Sequence, residues 1–237
     1  SGHMSQHADR KTTPVRESLC VLSLLLAACA LLATGCLPYA VGTTAHPVSE
    51  SEGPVANTTV YAIPNGLEGI DENDREEAVG YMGFDTEVRF GVGEQTDVGV
   101  RSPGLSGMVV NVKHRFVGTE SSQFAMAAMA GTGFINYAQH WHVEGTLVAS
   151  GPKAATLTPY GGLRAMQTFP LSESAVSDTP AVGSFLGVRI GSQQFGLSPE
   201  IGVYYDEPAL DISNDNPVLF VPSVTINGRG LLSDLFP

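Results

Sequence analysis

Cysteine is missing from residue 37 onward. The chain has three, Cys20, Cys29 and Cys36, so the long C-terminal part can hold neither a thiol nor a disulfide. Its stability must come from packing, backbone pairing or a surrounding membrane. Basic residues are scarce: 12 Lys and Arg stand against 24 Asp and Glu. Residues 36–237 keep nine against 22, a formal charge of −13, with no basic patch, which argues against nucleic acid as a partner. The one strongly apolar run, Leu19–Leu32, has 14 residues, short of the roughly 20 that a spanning helix needs. No Gly-x-Ser-x-Gly elbow marks a hydrolase nucleophile, and no phosphate-cradling glycine loop precedes a helix. No cofactor is expected.

What is present begins with targeting. Ser1-Gly2-His3-Met4 reads as a tag remnant (1–4) before a start methionine. Arg10, Lys11 and Arg16, then the apolar run, then small residues give residues 5–35 the layout of a secretory signal peptide. The run ends Leu31-Leu32-Ala33-Thr34-Gly35-Cys36, which resembles the bacterial lipobox, although Ala33 stands where Leu is most usual. The resemblance implies cleavage after Gly35 and fatty acylation, palmitate included, of Cys36. It makes membrane lipid a partner, and Leu37 in place of the inner-membrane retention Asp points to the outer membrane. Residues 36–56, rich in Pro, Gly, Ser and Thr, read as a lipid-anchored tether. The acidic stretch Glu68, Asp71, Glu72, Asp74, Glu76 and Glu77 reads as a solvated loop.

Residues 57–228 read as one all-β domain, and 229–237 as a C-terminal tail. Strand candidates are 57–63, 84–92, 97–102, 107–117, 122–134, 140–149, 155–168, 182–191, 194–205 and 217–227, separated by turn residues. A strand points alternate side chains to opposite faces. Phe84, Val88 and Phe90 thus oppose Glu87 and Arg89; Val110, Val112 and Phe116 oppose Lys113 and Arg115; Trp141, Val143 and Leu147 oppose His140, His142 and Glu144. Leu163 and Ala165 oppose Arg164, Leu186 and Ile190 oppose Arg189, and Ile201 and Val203 oppose Glu200. Glu87, Arg89, Lys113, Arg115, Glu144, Arg164, Arg189 and Glu200 are therefore expected to form a charge network in one enclosed lumen, with Gly99, Gly162, Gly187 and Gly202 leaving room for it.

Phe90-Gly91-Val92-Gly93-Glu94-Gln95-Thr96-Asp97-Val98-Gly99-Val100, Val112-Lys113-His114-Arg115-Phe116, Thr158-Pro159-Tyr160-Gly161-Gly162 and Ser198-Pro199-Glu200-Ile201-Gly202 resemble phrases of small outer-membrane β-barrel proteins. The resemblance covers roughly residues 84–227 and implies an antiparallel up-and-down β-barrel of about 8–10 strands in contact with the outer-membrane bilayer. Short turns alternate with longer loops, as in such barrels, except that 103–106 is short as well. An even strand number puts the start of the first strand and the end of the last at the periplasmic side, which matches an acyl anchor in the inner leaflet. The chain departs from the pattern in lacking an aromatic residue directly after its last strand, unless Phe236 serves. The alternative is a lipid-tethered soluble β-barrel or sandwich that binds a small apolar ligand; it predicts an apolar interior.

His140, His142 and Glu144 share one strand face and have the chemistry of zinc ligands or, with a serine, of an envelope hydrolase. Consecutive same-face positions lie about 6.5–7 Å apart, too far for three donors to converge unaided, so hydrogen bonding within the lumen is the expected role and no metal is expected. Phe134, Tyr137, Trp141, Phe169, Tyr204 and Tyr205 cluster at strand ends and suit either an aromatic girdle or a soluble core.

Overall fold

The computed structural model describes residues 38–63, 81–171, 180–192, 195–206 and 218–229, all within the unit formed by residues 34–237. The tag remnant, signal peptide, Cys36, the acidic stretch 68–77 and Phe236 lie outside the described residues. Ten strands close into a single antiparallel barrel in sequence order: β1 (Val55–Ile63), β2 (Tyr81–Gly91), β3 (Thr96–Pro103), β4 (Met108–Val117), β5 (Ala125–Ile135), β6 (His140–Ser150), β7 (Leu157–Pro170), β8 (Ala181–Gly191), β9 (Phe195–Tyr205) and β10 (Val218–Gly228). β1 pairs with both β2 and β10, so no edge is left open. Every candidate segment has its strand, with ends moved by no more than three residues.

One end of the barrel carries the connections 92–95, 118–124, 151–156 and 192–194, the start of β1 and the end of β10. The other carries the connections 64–80, 104–107, 136–139, 171–180 and 206–217. These are called the turn end and the loop end below.

The polar face of the alternating strands turns inward. On β4, Val112 is 43% exposed and Lys113 1%; Val110 and Phe116 face out with Val112, and Arg115 is buried with Lys113. β5, whose Ala, Met and Gly residues give no readable pattern, takes its register from its neighbours. Ala125, Ala127, Met129 and Ile135 point in, and Ala130 and Phe134 out. His114 sits among apolar outward residues, but next to the turn end, where its Nδ1 lies 2.9 Å from Thr96 Oγ1.

Three tyrosines fill the lumen by lying across glycines of the adjacent strand. Tyr61 pairs directly with Gly83, Tyr160 with Gly187 and Tyr204 with Gly183. A Cβ at Gly83 would come within 1.9 Å of the Tyr61 ring, so the glycine is required by close approach rather than by its dihedral angles.

The principal departure from expectation lies before β1. Residues 38–48, expected within a free tether, run inside the barrel. Tyr39 and Ala40 join Tyr61, Met166, Ala181, Tyr204, Leu219 and Val221 in an apolar cluster near the loop end. Val41 and Ala45 join Ala125, Ala127, Met129, Val148, Tyr160 and Phe185. The chain leaves the lumen at the turn end, makes a short 3-10 turn at Glu50–Glu52 and enters β1. The signal for enclosure was the absence of any Asp, Glu, Lys or Arg from Leu37 to Ser49, which is unusual for a solvated linker.

Gly83→Ala is expected to lower unfolding stability by about 1–3 kcal/mol through overpacking against Tyr61. Gly145→Ala, where an added Cβ would meet nothing within 4 Å, should change it by no more than about 0.5 kcal/mol. Denaturant midpoints of the two variants test the pairing; equal effects would count against it.

Candidate functional site

The candidate site is the lumen, where the inward faces of the strands bring charged groups out of water. Such groups persist only if each finds an opposite charge or a set of hydrogen bonds. Among the described residues of the strands, two clusters and the Glu200 carboxylate meet that requirement.

The first cluster is built on β2, β3 and β4. Arg89 Nη1 donates to Glu87 Oε1 at 2.6 Å and to Asn111 Oδ1 at 2.7 Å, while its Nε and Nη2 donate to Asp97 Oδ1 at 3.1 and 2.5 Å. Lys113 Nζ lies 3.5 Å from Asp97 Oδ2. Asn57 and Asn111 each donate to Glu87, at 3.0 and 2.8 Å. Two cations meet two anions, so the group is neutral. Gly99 sits in its middle: a Cβ there would lie 2.7 Å from both Arg89 Nη1 and Glu87 Oε1.

The second cluster centres on Glu144 Oε2, which accepts from Arg101 Nη2, from Arg164 Nη2 at 2.5 Å, and lies 3.2 Å from His142 Nε2. Asp85, buried on β2, interacts electrostatically with both arginines without a hydrogen bond. Again two cations face two anions.

Of the eight charges expected to share the lumen, Glu87, Arg89 and Lys113 join the first cluster, and Glu144 and Arg164 the second. Glu200 stands apart and accepts from Val41 N at 2.8 Å and Gly42 N at 2.9 Å. Arg115 and Arg189 lie toward the turn end, where Arg115 Nη2 donates to Glu94 O at 3.1 Å and Arg189 Nη2 to Ser192 O at 2.7 Å. The sequence reading left out Asp97, although it shares with Gly99 and Arg101 one parity against Val98 and Val100. It also left out the neutral partner Asn57.

His140, His142 and Glu144 do point into the lumen from β6, and all three are buried. His140 turns to Asn136, whose Nδ2 is 3.4 Å from its Nδ1, and Glu144 is committed to two guanidiniums. Among the described residues no three His, Cys, Asp or Glu side chains are placed to hold a metal ion.

Residues 38–48 make no strand ladder, and the lumen wall supplies their backbone partners. Ala45 N donates to Ser150 Oγ at 3.2 Å and Val48 N to Asp97 Oδ2 at 2.7 Å. Their carbonyls accept in turn: Tyr39 O from Tyr204 OH at 2.5 Å, Ala40 O from Arg164 at 3.2 Å, Gly42 O from Asn227 at 3.1 Å and Thr44 O from Lys113 at 3.3 Å. Gly42 has φ +60°, and a Cβ there would fall 2.0 Å from Thr225 Oγ1. The charged lumen is thus occupied by the chain's own N-terminal segment. What remains open near the turn end is a recess of about 60 Å³, its lining including Glu52, Lys153, Arg189 and Arg229.

No protein-family model matches the chain, and no curated protein matches it. Among solved structures the chain is similar to Neisserial surface protein A, with a TM-score of 0.33 and 11% identity over 74% of this chain and 96% of that one. It is also similar to the outer membrane protein OprG from Pseudomonas aeruginosa, with a TM-score of 0.32 and 11% identity over 78% of this chain and 97% of that one. At such overlap neither likeness speaks to function.

Glu144→Gln leaves two buried guanidiniums short of a negative charge and is expected to cost about 3–5 kcal/mol of unfolding free energy, measured as a shift of the denaturant midpoint. Zinc analysis of the purified protein beside a His140→Ala, His142→Ala variant should find background metal in both. One zinc per chain in the parent, lost in the variant, would revive the metal reading.

Proposed function

We propose that this chain is an outer-membrane lipoprotein whose β-domain is a small, self-plugged, non-enzymatic barrel with a structural or envelope-interaction role. In this reading residues 5–35 export it, Cys36 carries the acyl anchor and the barrel wall contacts bilayer lipid.

The observation that carries the reading is the reversed polarity of the wall. Leucine, valine, isoleucine and phenylalanine side chains stand outward and exposed on all ten strands except β5, where Phe134 does the same among Ala residues, while the charges are enclosed. In water such a surface far exceeds the few hundred Å² of contiguous apolar patch that soluble monomers show; in a bilayer it is the expected exterior. Aromatics mark its two margins. Phe90, Phe116, Phe124 and Phe195 face out near the turn end, and Phe134, Phe169, Tyr205 and Phe220 near the loop end. Phe195 and Tyr205 bound β9. Ten residue steps at about 3.3 Å, tilted by about 40°, span roughly 25 Å along the axis, the height of the apolar band in outer-membrane barrels.

The interior weighs against the soluble alternative. A carrier of a small apolar ligand needs a dry apolar cavity, whereas this lumen is filled by ion pairs, tyrosines and residues 38–48. The same filling weighs against a diffusion pore.

Trp141 is the sole tryptophan and stacks edge-on against outward Phe134 at 4.6 Å, which makes the lipid-contact test direct. In vesicles containing brominated phosphatidylcholine its fluorescence should be strongly quenched, and unbrominated vesicles should leave it bright. Planar bilayers with the full chain should show no steady conductance, and removal of residues 38–48 should raise it. Unquenched Trp141 in a folded, vesicle-associated protein would overturn the spanning barrel.

A further inference from the structure

The direction in which residues 38–48 run through the lumen has a consequence for the anchor. Tyr39 lies at the loop end: its ring packs on Tyr204 with centroids 5.3 Å apart, and its hydroxyl donates to Asp206 Oδ2 at 2.5 Å, just past the last residue of β9. Glu200 and Asn227 hold Gly42 part-way down. At the turn end Ala45 meets Ser150, His46 meets Gly151 and Val48 meets Asp97, the second residue of β3. Nine steps from Tyr39 to Val48 reach about 30 Å when extended, enough to traverse the barrel once. The segment therefore starts at the end opposite to the one where β1 begins.

We infer that the acyl anchor sits at the loop end of the barrel, in the outer leaflet. This rests on the proposed acylation of Cys36 and on the outer-membrane orientation, in which short turns face the periplasm and longer loops the outside. In the processed chain only Cys36 and Leu37 precede Pro38, a covalent reach of about 7 Å. An anchor in the leaflet beside the turn end, as strand parity alone suggests, would require at least some 20 Å more chain than two residues supply. The interior also bars the alternative of a lipid lying within it, since it is lined by Arg89, Lys113, Arg101 and Arg164 with their carboxylates. No acyl chain has to be pulled through that interior. The lumen closes only when β1 pairs with β10, so the segment can be laid in before that seam shuts.

The inference needs residues 38–48 enclosed in the same molecules that carry lipid, and the test reads both. The full chain without its tag remnant, with Ala45→Cys and Ser150→Cys, is expressed in a Gram-negative host under its own signal, with a short epitope inserted either in the 136–139 loop or in the 119–122 turn, so that the two-residue link from Cys36 to Pro38 is left as it is. The two substituted positions adjoin, since Ala45 N lies 3.2 Å from Ser150 Oγ, and acylation consumes the thiol of Cys36, the only native cysteine left after cleavage. Mass spectrometry is expected to find the acyl mass on Cys36 and the 45–150 disulfide in one species. Antibody should reach the epitope at 136–139 on intact cells, and the epitope at 119–122 only after the outer membrane is opened. An acylated protein that lacks the disulfide, or whose epitope at 136–139 is reached only after opening, overturns the inference and leaves the anchor standing. A folded barrel with the disulfide and no acyl mass overturns the anchor reading, and the inference falls with it while the threading stands.

Discussion

A strand with Phe90 and Val88 on one face and Glu87 and Arg89 on the other has to give its two faces to two different media. All strands of this domain but β5 carry a version of that choice, and the barrel makes it the same way in each. The closed ladder satisfies each strand's backbone laterally, which is what permits an apolar exterior without open edges. It also commits the polar faces to a narrow interior where water cannot solvate them, so each inward charge must be matched by another inward group.

The matching explains the composition of the wall. Arg89 spans Glu87, Asp97 and Asn111, and Glu144 spans Arg101 and Arg164. Both arrangements are charge-balanced; the first is local to β2, β3 and β4, and the second joins β2 and β3 to β6 and β7. Long side chains can meet across so small a lumen only where others are absent: Gly99 admits the first cluster, and Gly83, Gly183 and Gly187 admit the tyrosine rings. The glycines that weaken individual strands are thus the condition for packing the interior.

The N-terminal segment completes that interior. Glu200, Ser150, Asn227 and Tyr204 face the lumen and bond residues 39–45, and Lys113 and Asp97 divide their bonding between the wall and the segment. Remove the segment and these groups would need water, and an aqueous column would replace a solid core. Occlusion and a polar lumen are therefore one arrangement seen from two sides. The proposed placement of an acyl anchor follows from the direction of a chain that the lumen chemistry holds in place.

Much of this was legible in the sequence because it is local. Period-two alternation is a property of neighbours along the chain, so strand positions, their polar faces and the membership of Glu87, Arg89, Lys113, Glu144 and Arg164 could be read from Phe84 onward. The run of Ala, Met and Gly in 125–133 could not be read, because its two faces are chemically alike, and its register came from hydrogen bonds to β4 and β6. His140, His142 and Glu144 were correctly placed on one face, but only the folded chain shows that Arg101, 43 residues away, takes the carboxylate.

Residues 38–48 mark the limit most clearly. Their composition excludes a charged linker but has no periodicity, since an extended segment without a ladder imposes none. What holds Val41, Ala45 and Val48 is Glu200, Ser150 and Asp97, residues that lie up to 159 positions away and become neighbours only when β1 meets β10. The sequence by itself determined strands with one apolar and one polar face, because all but β5 carry that division within themselves; it left open which face would turn outward. The tertiary structure alone decided what fills the interior and which end the chain enters from, because both depend on groups that closure brings together.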